Sequence, residues 1–97
     1  MKKNKFDISE FVNVETEQTV VFELVKRVKL RRKESRFSQK KLADRSGVSY
    51  ASIRRFENTG DISLASLIKI GEALDCLSDF HELFKNRKIT SLKDIKL

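Results

Sequence analysis

Proline is absent from this 97-residue sequence, and cysteine and histidine occur once each, as Cys76 and His81. A single cysteine excludes an internal disulfide and a cysteine-based zinc cluster. Cys76 is read first as a small packed hydrophobe and only second as a redox-sensing thiol. Catalysis would need a nucleophile, a base and a polarising group gathered together, or a metal site. The isolated histidine, the isolated cysteine and the lack of a glycine-rich phosphate loop argue against an enzyme, a cofactor or a bound metal. No stretch approaches the ~18 uninterrupted apolar residues of a membrane span, and the first residues lack an apolar signal core. A cytoplasmic protein with no membrane partner is the expectation. Internal repeats and low-complexity segments are lacking too.

What is present is positive charge, unevenly placed. The formal net charge is +7. Between Lys26 and Arg55 the only acids are Glu34 and Asp44, whereas Asp7 to Glu23 is purely acidic among its charged residues and Glu57 to Glu82 is mostly so. A basic block of this kind is either a solvated lysine-rich helix face or the electrostatic footprint of a polyanion site.

The block runs into SQKKLADRSGVSYASIRRFEN, Ser38 to Asn58. Leu42 and Ala43 share one face of a first helix, Ser46 and Gly47 interrupt it, and Val48, Ile53 and Phe56 begin a new apolar set. Glycine accepts the positive φ that ends a helix, and Ser49 offers an oxygen to the amides of the next. Two helices separated by one tight turn make a helix-turn-helix, the motif of DNA readers. At about 100° per residue, Phe56 and Ser49 fall within roughly 60° of Ile53 and Glu57 within about 40°, so this side packs inward. Ala51, Arg54, Arg55 and Asn58 point the other way, forming a cationic face without a carboxylate that fits a major groove.

Elsewhere the pattern is less decisive. Phe11 to Glu15 alternates weakly, as a short strand or an extended arm would. Val21, Leu24, Val25 and Val28 predict a helix from Val20 to near Ser35. Ser38 can cap its helix, although no full capping box is present. After a turn at Thr59-Gly60-Asp61, Ser63 opens a helix with a stripe of Leu64, Leu67, Ile68, Gly71 and Leu74, widened by Ile70 and Ala73. Gly71 inside it costs around 1 kcal/mol against alanine, which points to close helix contact. Ser78 can cap a last helix carrying Phe80, His81, Leu83 and Phe84, with His81 on the surface or at a cap. Asn86 to Leu97 is basic and loosely patterned. One all-α domain at 20–85 is expected, with an N-terminal arm at 1–19 and a tail at 86–97; the length suits a single modest core.

FSQKKLADRSGVSYASIRRFENTG followed by ISLASLIKIGEAL resembles the lambda-repressor-like, Xre-type family of bacterial regulators. Gln39, Leu42, Ala43, Gly47, Val48, Ile53, Glu57 and Asn58 match its pattern. The resemblance implies a five-helix all-α domain that binds double-stranded operator DNA as a homodimer and regulates transcription. It implies base-edge contacts at Tyr50, Ala51 and Arg55, with Arg55 the strongest candidate for guanine; the best-known phage members carry glutamine at the first two positions, so their adenine contacts do not transfer. Arg54 either reads bases or holds phosphate. Ser38, Lys40, Ser49, Ser52 and Asn58 are expected at the DNA backbone. Gln39 contacts a phosphate or braces the recognition helix. Arg32 occupies the position that pairs with Glu57 in some relatives, implying a structural ion pair.

A narrower resemblance, carried by Phe56 to Gly60 and Asp79 to Phe84, is to HipB-like antitoxins, which repress their own operon and bind a HipA-type kinase toxin. Phe80, Leu83 and Phe84 would then contact the toxin, or else complete the core or a dimer seam. A stand-alone repressor and a protein-interaction adaptor on the same scaffold are the other readings.

Overall fold

The computed structural model describes residues 15–88. Among them it contains five helical elements and no strand. The fold is therefore all-α. The alternating stretch at 11–14 and the end of the basic tail lie outside the described residues.

Helix α1 spans Glu17–Glu34 and starts three residues before the expected Val20. The cause is a reciprocal cap: the Thr19 amide donates to Thr16 Oγ1 (3.2 Å) and the Thr16 amide to Thr19 Oγ1 (3.0 Å). A threonine does here what glutamate does in the usual motif. The helix stops at Ser35, and Arg36 turns the chain with a φ of 62°.

Helices α2 (Gln39–Ser46), α3 (Tyr50–Thr59) and α4 (Leu64–Ala73) each begin at a serine. Ser38, Ser49 and Ser63 accept the amides of Lys41, Ser52 and Ser66, all at 3.0 Å. Such caps contribute about 1 kcal/mol apiece. Both α2 and α3 end on a left-handed glycine, Gly47 at φ 78° and Gly60 at φ 83°. These two turns separate α2, α3 and α4.

The core is small and lies between α2, α3 and α4. Leu42, Ile53 and Ile70 are fully buried, and Val48, Phe56 and Leu74 nearly so; Val28, Phe37, Ala43, Ile62, Ala73 and Cys76 are half-buried around them. Burying one such large side chain contributes about 1.5–3 kcal/mol. The inward face of α4 is rotated from the expected stripe. Leu64 is 65% exposed and Ile68 37%, while Ile70, Gly71 and Leu74 carry the contact. Residues apolar on most sides of a helix leave periodicity unable to choose among faces.

A Cβ on Gly71 would overlap the Phe80 ring, which accounts for glycine at this buried helical position. Phe80 belongs to a closing 3-10 helix, Leu77–Glu82. Ser78 does not cap it; the cap position is Cys76, without a side-chain bond. Burial pushes the Cys76 thiol above its ordinary pKa, Arg31 opposing and Asp79 and Asp75 adding to the effect. That suits a packed thiol better than a reactive one.

Candidate nucleic-acid interface

Two helices converge on a buried carboxylate carried by a third. From α1, Arg32 Nε donates to Glu57 Oε2 (2.7 Å) and its second terminal nitrogen donates to Oε1 (3.0 Å). The remaining guanidinium nitrogen donates to the Phe37 carbonyl (2.8 Å), in the link between α1 and α2. From α2, Gln39 Nε2 donates to Glu57 Oε1 (2.8 Å). Side-chain exposure is 9% for Arg32 and 2% for Glu57, so the pair is dry. Burial alone would raise the Glu57 pKa, but the Arg32 and Gln39 hydrogen bonds, with the charges of Arg32 and Lys29, hold it below the usual carboxylate value. A forked guanidinium is the side chain suited to such a pair.

Gln39 is part of this network. Of the two roles open to it, a phosphate contact or a brace for the recognition helix, its amide nitrogen takes the bracing geometry. Its position at the start of α2 remains half-exposed. Ser49, expected on the inward side, is exposed because it is the cap residue rather than a helical one.

With Ile53, Phe56 and Glu57 buried, α3 is locked in rotation, and the opposite face is open: Tyr50, Ala51, Arg54, Arg55 and Asn58 are all exposed. Ser52 is half-buried and receives a hydrogen bond from the Ser49 hydroxyl (2.8 Å). Ser38 and Lys40 are exposed at the start of α2.

The open face has internal order that helical periodicity does not reveal. Lys40 Nζ lies 5.4 Å from the centroid of the Tyr50 ring and the Arg54 guanidinium 5.6 Å from it. One aromatic ring thus gathers a cation from α2 and another from α3. Arg55 is treated differently: its terminal nitrogen meets Asp61 Oδ2 at 2.5 Å. Asp61 lies past the end of α3, so only the Thr-Gly-Asp turn signals that the chain folds back there.

A capped helix pair joined by a left-handed glycine, with the second helix anchored on one side and cationic on the other, defines the DNA-binding regulators built on a helix-turn-helix. The family comparison agrees: residues 28–80, more than half of the chain, match the family described as helix-turn-helix. This chain belongs to that family, of Xre type, and is a DNA-binding transcriptional regulator in kind. No curated protein and no solved structure matches it. Among the described residues no helix is long and apolar enough to cross a membrane, and no group of acids, cysteine and histidine has the makings of a metal site.

Proposed function

We propose that this protein is a sequence-specific repressor that binds double-stranded operator DNA as a homodimer. The observation that carries the reading is the division of α3 between a buried side, Ile53, Phe56 and Glu57, and an exposed cationic one. The helix lies in the major groove, where Arg55 pairs with guanine and the Ala51 methyl meets thymine. Arg54 and Tyr50 lie at the adjoining bases. Ser38, Lys40, Ser49, Ser52 and Asn58 hold the DNA backbone, assisted by the amides at the start of α2. Two copies on half-sites about one DNA turn apart supply the affinity that one recognition helix lacks.

Binding to a duplex from the protein's own upstream region, measured by fluorescence anisotropy at rising salt, tests this. The log-log slope is expected to be about −0.9 per neutralised phosphate. Arg55→Ala is expected to cost ~1–3 kcal/mol at one base pair and to relax sequence choice, and Lys40→Ala to weaken all sequences alike. Equal losses on specific and random DNA for Arg55→Ala would remove its base-reading role.

The narrower reading is an autorepressing antitoxin of a HipA-type kinase. The exposure of Leu83 (59%) and Phe84 (102%) favours it, because both side chains are left for a partner. Leu83→Ser with Phe84→Ser is expected to abolish co-purification with a kinase encoded beside this gene and to spare DNA binding. A neighbouring gene of another kind, or a complex indifferent to both changes, rejects the antitoxin role.

A further inference from the structure

We propose that Asp61 is a positioning residue for DNA recognition: it holds the Arg55 guanidinium in the pose that meets guanine. This rests on Arg55 being the base reader. Asp61 and Arg55 form a closed ring of interactions across the end of α3. The Arg55 guanidinium meets Asp61 Oδ2 (2.5 Å), the Asp61 amide donates to Thr59 Oγ1 (3.1 Å), and the Thr59 hydroxyl donates back to the Arg55 carbonyl (2.7 Å). Gly60 supplies the left-handed residue that closes the turn, and its amide donates to the Phe56 carbonyl (2.7 Å). The carboxylate therefore extends from a turn whose backbone is tied at several points to the helix that carries its partner.

The two neighbouring arginines are oriented by different means. Arg54 lies against the Tyr50 ring, a soft and broad surface. Arg55 is held by a charge at one terminal nitrogen. A guanidinium has five N–H donors, and a paired guanine contact consumes two of them, so one nitrogen engaged by Asp61 leaves enough for the base. In water an exposed pair of this kind contributes little. Against DNA, with water displaced, the same pair fixes a long side chain that otherwise has many rotamers, and its strength grows as the local dielectric falls. The carboxylate also repels phosphates. It therefore weakens binding to arbitrary sequence while it sharpens binding to the correct one.

The decisive measurement is selectivity: affinity for a duplex enriched by the wild-type protein from a randomised library, divided by affinity for a shuffled duplex of the same length. Asp61→Asn preserves the turn chemistry and removes the charge. Selectivity is expected to fall about tenfold, the scale of one charge-assisted hydrogen bond, with a small gain on the shuffled duplex and an unchanged thermal melt. In an Arg55→Ala background, Asp61→Asn is expected to cause no further loss of selectivity. If Asp61→Asn leaves selectivity unchanged or raises it while Arg55→Ala still lowers it, the positioning role is wrong and Arg55 still reads bases. If Arg55→Ala has no effect on selectivity, the base-reading assignment fails, and the role of Asp61 falls with it. A similar loss from Asp61→Asn with and without Arg55 would also overturn the proposal, because Asp61 would then act elsewhere.

Discussion

Ile53, midway along α3, is fully buried, while Phe22, a larger side chain near the start of α1, is 64% exposed. The reading unit and the first half of α1 are held by different physics. In α2 and α3 every end is closed by a serine cap or a left-handed glycine, and Leu42 and Ile53 meet in a common core. In α1 the expected stripe is only partly covered: Val21 is 41% exposed, Leu24 36%, and the one buried residue of the whole helix is Arg32. Open grooves flank it on both sides, one against α4 and the closing 3-10 helix and one against the end of α3. Long helices need not be anchored by their apolar faces. Here the buried charge pair lies near the C-terminal end of the helix, and Val28 is its half-buried contact with the core shared by α2, α3 and α4.

The sharpest way to break this contrast is to remove the charge pair. Arg32→Ala or Glu57→Ala is expected to destabilise by ~3–5 kcal/mol, because each leaves an uncompensated charge in a dry site. Thermal melts of both single variants and the double variant measure the coupling; additive losses would mean that no pair exists. The acid limb of the stability profile gives an independent check. The Glu57 carboxyl is depressed in the folded protein, so its contribution is fully present above its ordinary value near 4.5 and is lost as pH falls through the lower folded value. Glu57→Gln is expected to flatten that limb, and an unchanged acid profile would contradict the assignment.

Core truncation comes next. Leu42→Ala is expected to cost about 2–5 kcal/mol in chemical denaturation, with the spread set by how far α3 and α4 close the cavity. Smaller effects distinguish the two turn glycines. An L-residue in the left-handed region costs about 1–2 kcal/mol, so Gly47→Ala, which meets nothing within 4 Å, is expected to lose that amount alone. Gly60→Ala adds an overlap with the Val21 side chain and is expected to lose more. Equal losses at the two positions would show that Val21 moves aside freely. At the bottom of the scale, Phe22→Ser is expected to shift stability by no more than about 0.5 kcal/mol.

The parts of the structure legible from the residues alone are those set by local chemistry. Ser38, Ser49 and Ser63 announce helix starts because a cap depends on three or four consecutive residues. Gly47 announces the turn for the same reason. The outward direction of Arg54 and Arg55 follows from their spacing to Ile53 and Phe56. Harder to read were features in which several patterns are equivalent or partners lie on different elements. Thr16 and Thr19 form their cap without the expected acid, and α4 has too many apolar sides for its inward face to be chosen. The closing helix is tightened to 3-10 geometry where Phe80 packs on Gly71. Asp61 meets Arg55 only because the chain reverses at Gly60, and Tyr50 gathers Lys40 from across the turn. Neither juxtaposition has a period.

Gly60 also bears on the order in which the chain assembles. The open side of Gly60, where a side chain would be, faces Val21, so the contact between the opening turns of α1 and the rest of the fold needs the left-handed turn that ends α3 to be in place. The first half of α1 is then expected to become protected after α3 and to open before it. Native-state hydrogen exchange is expected to show amides of residues 20–24 exchanging at lower opening energy than those of residues 53–57.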